Sequence, residues 1–169
     1  MVLYEDEFSL SNTATVSYQW ALRGQQPKVK CKQRKRERQT VFGTVCPESG
    51  QIVISFADKG NSETFIKHLR KVIKAFKGKH LILVLDNVKY HHAKRLTPFL
   101  SKHPNLEFMF LPPYCPDLNP IERVWWLMRK RITHNRYVES MQERKIKFWM
   151  MFSHYLKPNE ELKKICVLN

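Results

Sequence analysis

The 169 residues contain only four cysteines, Cys31, Cys46, Cys115 and Cys166, and no two of them form a C-x-x-C pair. No histidine stands at zinc-finger spacing from them either, so the thiols read as reduced, in an intracellular protein. No apolar run reaches the ~18 residues of a membrane span, and no basic-then-apolar leader opens the chain, which argues against membrane and secretory classes. Internal repeats and low-complexity segments are missing as well. Acidic residues are scarce: 15 Asp+Glu stand against 30 Lys+Arg, a formal net charge of +15. Solubility alone does not require that imbalance, and nucleic acid is the commonest polyanion to match it. A generally basic cytoplasmic protein is the plainer alternative. The length fits one domain, which buries roughly 70% of its unfolded surface.

The run Leu81-Ile82-Leu83-Val84-Leu85 ends abruptly in Asp86-Asn87. Five consecutive apolar residues read as a strand covered on both faces, with an acid at its carboxyl end, the edge where open α/β sheets bind ligands. Residues 2–8 read as a first strand, and period-two counting places Val2, Tyr4, Asp6 and Phe8 on one face. Residues 9–38 lack clean periodicity and end in the basic run Lys28, Lys30, Lys32, Arg34, Lys35, Arg36 and Arg38, which suggests a protruding arm. Thr40–Cys46 and Gln51–Ala57 read as strands joined by a hairpin-type turn at Pro47-Glu48-Ser49-Gly50. An amphipathic helix is predicted over Ser62–Phe76, stopped by Gly78. A short helix around His92–Ser101 and a strand over Leu106–Leu111 follow. A helix crossing between two strands implies parallel pairing, so the expected sheet is mixed and five-stranded. After the proline-dense segment 112–120 a helix is predicted with Asn119 as N-cap and Pro120 at its first position. Its apolar stripe is Ile121, Val124, Trp125, Met128 and Ile132, leaving Arg123 and Lys130 to solvent or ligand. Further helices are expected over Glu139–His154 and Pro158–Cys166.

Asp6, Asp86 and Glu122 are the candidate chemical groups. Carboxylates withdrawn from water cost several kcal/mol unless paired or bound to a cation. Brought together they suit Mg²⁺, and two such ions about 3.5–4 Å apart can drive an in-line phosphodiester displacement. Each residue also has a plainer explanation. Asp6 could belong to an acidic cluster in which Glu5 or Glu7 faces water. Asp86 could end its strand in an Asx-turn. Glu122 fits the N3 position of a capping box that begins at Asn119. Asn87 could orient Asp86 or a phosphate, or simply make the turn; His91 and His92 default to surface or core-edge roles. Trp125 and Trp126 most often mean packing, with base stacking as the alternative.

Asp86-Asn87 with His91, and Pro112-Pro113-Tyr114-Cys115-Pro116-Asp117-Leu118-Asn119-Pro120-Ile121-Glu122 with Val124-Trp125, closely resemble the second and third catalytic segments of DDE transposases of the Tc/mariner superfamily, bacterial insertion-sequence members included. Thirty-five residues separate Asp86 from Glu122, close to that superfamily's spacing. Tyr4-Glu5-Asp6-Glu7 resembles its first segment and puts the ligand at Asp6; Trp20 to Pro27 is similar to the segment that follows. The resemblance runs to about Arg131. It implies an RNase H-like fold, Asp6, Asp86 and Glu122 as catalytic metal ligands, and two Mg²⁺ or Mn²⁺ ions. Asn87 and His91 are implied as support. It further implies cleavage and strand transfer on double-stranded DNA, both element ends and target, with DNA contacted through the basic arm and through Arg123, Arg129 and Lys130. Relatives use the 9–38 insertion as a clamp on a partner subunit, so a homodimer is expected, with residues 135–169 as a helical extension. Position 115 is more often Ser in relatives. They also usually carry N-terminal helix-turn-helix modules, so a chain starting at the first catalytic strand is expected to be a catalytic fragment, a second reading frame or a remnant. Location is expected to be cytoplasmic and nucleoid-associated in a bacterium, nuclear in a eukaryote. Two rivals stay open: a nuclease of the same fold that does not join ends, and an inactive DNA-binding remnant.

Overall fold

A computed structural model describes residues 1–30, 37–113 and 115–167. Lys32, Arg34, Lys35 and Arg36 of the basic run lie outside the described residues.

Five strands form one sheet: β1 (Val2–Ser11), β2 (Arg38–Cys46), β3 (Gln51–Ala57), β4 (Leu81–Leu85) and β5 (Leu106–Phe110), in the order β3-β2-β1-β4-β5. The first three pair antiparallel, while β1, β4 and β5 run parallel, as the intervening helical crossovers require. The turn between β2 and β3 closes at Gly50, whose φ of 68° is left-handed. A Cβ there would also stand 1.9 Å from the Asn159 carbonyl oxygen, so only glycine fits.

Helices cover both faces. The helix α1 (Ser62–Ala75) is started by a reciprocal cap between Asn61 and Thr64. With α2 (Thr97–Ser101), it buries Phe65, Leu69, Val72 and Phe99 against Leu3, Leu83 and Leu85. On the other face α3 (Ile121–Met128), α4 (Met141–Phe152) and α5 (Glu160–Ile165) bury Ile121, Val124, Trp125, Phe148, Phe152 and Leu162 against Phe8, Leu10, Val41 and Val45. Each large apolar side chain so enclosed contributes about 1.5–3 kcal/mol. No helix among the described residues is long and apolar enough to cross a membrane.

Several boundaries differ from the sequence reading. The first strand continues to Ser11, three residues into the supposed arm. The helix expected over His92–Ser101 splits into two short 3-10 turns at Lys89–His92 and Lys94–Leu96, and only Thr97–Ser101 is α-helical. Extended backbone at Ala93 breaks it, and Pro98, which lacks an amide donor, sits in the first turn of the α-helical part. The next long helix begins at Ile121 with Pro120 as its cap residue, one position later than expected, and carries no side-chain cap.

Two tertiary ties hold the C-terminal half in place. Arg144, fully buried, donates to the backbone carbonyls of Ser11, Ile132 and Arg136, joining α4 to the end of β1. Trp125, also fully buried, stacks on Phe8 with ring centroids 5.4 Å apart and lies directly over Gly43 of β2. A Cβ at Gly43 would come within 2.4 Å of the indole. We therefore expect Gly43→Ala to overpack this contact and to cost about 1–3 kcal/mol in urea denaturation. An unchanged midpoint would show that Trp125 can move aside without loss.

Candidate active site

Alternation along β1 sends its side chains to opposite faces. Asp6 shares the α3 face with Phe8, whereas Glu5 shares the α1 face with Leu3. The sheet register sets Asp6 opposite Gly43, and the missing side chain there lets the Trp125 indole reach over. Its Nε1–H donates to Asp6 Oδ2 at 3.0 Å. One carboxylate oxygen is thus fixed where Asp6 lines a cavity.

Asp86 follows β4, the neighbour of β1. Its Oδ1 accepts from the Val88 amide at 3.1 Å, so the Asx-turn does form, and it serves to orient the carboxylate. His91 Nδ1 lies 3.2 Å from both the carbonyl oxygen and Oδ1 of Asp86. The hydrogen bond from His91 leads the influences that hold the Asp86 carboxyl below its usual range. Asn87 donates through Nδ2 to the Leu111 carbonyl at 2.6 Å, tying the end of β4 to the proline-dense loop.

Glu122 comes from the first turn of α3. The capping box does not form: the Asn119 side chain, 5% exposed, donates instead to the Glu5 carbonyl at 3.1 Å, and only its oxygen turns back to the Ile121 amide, at 3.4 Å. Asn119 is therefore a brace between α3 and β1, and the Glu122 carboxylate is left to the cavity. That cavity, about 390 Å³, is lined by Asp6, Asp86, Asn87, Leu111, Pro112, Pro113, Cys115, Asn119 and Glu122. Three separate sequence segments, around Asp6, Asp86 and Glu122, are brought together there.

The acids feel one another. Burial, reinforced chiefly by the charge of Glu122, pushes Asp6 up to about 7. Glu7 is pushed up to about 8, again by burial first and then by the charges of Asp6 and Asp86. Oxygens of Asp6, Glu7 and Asp86 lie within 4.8 Å of one another. Glu122 also lines the cavity, outside that tightest group.

Hard oxygen donors, mutual repulsion and an open cavity with room for water are what a divalent cation of the Mg²⁺ type requires, so the residues present fit it.

The remaining sequence candidates are distributed as follows. His91 is enclosed behind Asp86, not at the surface, with its ring centroid 4.5 Å from that of Phe65. Its face is closed by Glu5, which is fully buried where the sequence reading had allowed Glu5 or Glu7 to face water. Arg123 does not point to open solvent: it donates to the carbonyls of Ile165 and Val167 and anchors the segment after α5. Arg129 lies over the Phe8 ring and Lys130 over the Trp126 ring, at 5.3 and 5.1 Å, and both are exposed. Lys28 and Arg38 are exposed, and Lys30 is exposed beside Tyr137 and Glu139. Trp125 and Gly43 were missed as site residues. The one local signal was that Trp125 stands three positions after Glu122, on the same face of α3.

These shifts carry a sign. Asp6 and Glu7 are raised above their ordinary values, so the folded chain keeps protons that the unfolded chain has released. Their contribution is fully present below the unfolded pKa and is lost as pH rises through the folded one. His68, lowered to about 3 by burial, acts in the opposite sense, but above about pH 6.5 it is neutral in both states. Without divalent ions the melting temperature should fall between about pH 6.5 and 8, and saturating Mg²⁺ should reduce the fall. A metal-free profile that is flat or rising across this range would contradict the arrangement.

Comparisons with known proteins bear on the family and the fold. Residues 1–145 match the family described as DDE superfamily endonuclease. An uncharacterized protein, y4pE/y4sA, of Sinorhizobium fredii is 37% identical over 100 residues, covering 57% of this chain and 69% of that protein. The uncharacterized 39 kDa protein of insertion element IS630 from Shigella sonnei is 26% identical over 152 residues, 88% of this chain and 44% of the relative. Among solved structures, the Mos1 transposase paired-end complex with the left transposon end superposes with a TM-score of 0.72 at 14% identity, over 98% of this chain and 51% of that one. The HTLV-2 integrase catalytic core domain in complex with magnesium gives 0.54 at 15% identity, over 88% and 83%. The chain thus spans about half the length of the Mos1 protein, and the architecture they share is the RNase H-like fold. With its family match extending over most of its length, the chain belongs to the DDE superfamily of endonucleases.

Proposed function

We propose that this chain is the catalytic domain of a Tc/mariner-type transposase, which cuts and joins DNA at the ends of a transposable element. The observation that carries the reading is the convergence of Asp6, Asp86 and Glu122 on one open cavity at the carboxyl end of β4, beside the middle of β1. The insertion-element relative and the Mos1 likeness support the substrate class.

Asp6, Asp86 and Glu122 would hold the metal, and solved Mos1 complexes are described with Mg and with Mn. Two bound dications would activate the attacking hydroxyl and stabilise the leaving oxygen of an in-line displacement. The chain's own part is positional. Trp125 fixes one oxygen of Asp6, while the Val88 amide and His91 fix Oδ1 of Asp86. Asn87 keeps the cavity floor joined to the loop at 111. The nucleophile is water for cleavage and a DNA 3′-hydroxyl for joining, so no side chain need attack phosphorus.

DNA contact falls to the exposed cations Lys28, Lys30, Arg38, Arg129 and Lys130, together with Lys32, Arg34, Lys35 and Arg36. Arg123, held by the C-terminal carbonyls, braces α5 in this reading. The arm suits a second subunit. Its base is pinned to the segment that follows α3 by bonds between Thr15 and Thr133 and between Ser17 and Asn135. Beyond that anchor Val16, Tyr18, Trp20 and Leu22 stand exposed at alternate positions, an apolar row that pairing in a homodimer would cover.

The test is cleavage and strand transfer on a labelled duplex carrying element ends, in Mg²⁺ and in Mn²⁺. Asp86→Asn and Glu122→Gln should each lose at least about 10³ of the rate. DNA binding should be kept or strengthened in Asp86→Asn because a repulsive charge is removed, and should weaken steeply with salt. Cleavage without joining of a pre-cut end would favour the plain nuclease. Normal cleavage by Asp86→Asn would sink the site assignment.

A further inference from the structure

On the opposite face of β1 from Asp6, the side chains of Glu5, Glu7 and His91 meet in a closed space. Glu5 and His91 have fully buried side chains, and Glu7 is 18% exposed. His91 Nε2 lies 3.5 Å from Glu5 Oε2 and 3.7 Å from Glu7 Oε1. Both Glu5 oxygens, Glu7 Oε1 and His91 Nε2 are buried without a hydrogen-bond partner. Four orphan polar atoms in one buried cluster are costly, because each forfeits its hydration and gains nothing in return.

A proton added to His91 does not complete a hydrogen bond in this geometry. The two atoms near His91 Nδ1 are both oxygens of Asp86, so Nδ1 carries hydrogen and Nε2 presents a lone pair to two carboxyl groups. A proton added at Nε2 would need an acceptor at about 2.7–3.2 Å, closer than either oxygen stands. A dication bonded at about 2.0–2.1 Å instead spaces its ligand atoms about 3.3–3.6 Å apart in tetrahedral to trigonal arrangement. The 3.5 Å between Nε2 and Glu5 Oε2 falls in that range, and the 3.7 Å to Glu7 Oε1 lies just above it. Metal-bound imidazoles also characteristically donate their other ring N–H to a carboxylate or a backbone carbonyl, as Nδ1 does to Asp86.

We propose that Glu5, Glu7 and His91 bind a zinc-type dication in a closed site behind the catalytic cavity. The second Glu5 oxygen supplies a fourth donor, so no water is needed, and two carboxylates against one dication leave the buried cluster neutral. Imidazole favours zinc over magnesium, and Mg²⁺ prefers to keep several waters. The ion would fix the ring that steadies Asp86, so it is a structural metal with a positioning consequence. The ligand set excludes Asp6 and Glu122 and does not rest on the transposase reading.

The experiment uses the full chain carrying Asp86→Asn and Glu122→Gln, which strips two acids from the catalytic cavity. After dialysis against dilute zinc chloride, elemental analysis should find one zinc per chain, and zinc should raise the melting temperature. Adding Glu5→Gln, nearly isosteric, should abolish both effects. In case that variant misfolds, zinc K-edge absorption on the parent protein gives a second reading: one imidazole with oxygen ligands is expected. No bound zinc, zinc unaffected by Glu5→Gln in a folded chain, or a spectrum with two or more imidazoles or any thiolate would overturn the proposal. Duplex cleavage by the chain with its catalytic acids intact reports separately on the transposase reading.

Discussion

Like charges gathered in a partly dry space govern this molecule. Asp6, Glu7 and Asp86 approach within 4.8 Å, and Glu122 lines the same cavity. Such a group is tolerable only if protons or cations compensate it, and the upward shifts of Asp6 and Glu7 express that demand. The surrounding architecture keeps the acids from relaxing apart. Parallel pairing of β1 with β4 sets two of them side by side, and α3, braced by Asn119 against β1, brings up the third wall.

The alternation of β1 makes one strand serve two sites. Even-numbered residues carry Phe8 into the core beneath α3 and leave Asp6 at its rim. Odd-numbered ones carry Leu3 beneath α1 and enclose Glu5. His91 joins the two faces, touching Asp86 on one side and Glu5 and Glu7 on the other. The same physics explains why Gly43 has to be small. Trp125 must cross β2 to reach Asp6, and a methyl group on the strand would block it.

Much of this was legible in the sequence where a local pattern carries the signal. The apolar run ending at Asp86, the 3.6-residue stripe of α3 and the period-two face of β1 are short-range regularities, and all appear in the fold. The choice of Asp6 over its acidic neighbours and the weight given to Glu122 came instead from resemblance, since a capping box explained Glu122 equally well. What escaped reading depends on contacts between distant segments. The Trp125–Asp6 bond spans 119 positions and the Asn119–Glu5 bond 114. Arg123 looked solvent-facing because helix periodicity knows nothing of a C-terminal segment that folds back over it. Glu5 looked exposed because acidic residues usually are, and only the burial of the α1 face reverses that.

The central claim is that a cation sits among Asp6, Asp86 and Glu122, and the most direct test is anomalous diffraction from crystals soaked in Mn²⁺. The account predicts a manganese peak in the cavity, bonded to Asp6 and Asp86 oxygens at about 2.1–2.2 Å. A well-ordered cavity that stays free of manganese at saturating concentration would contradict it.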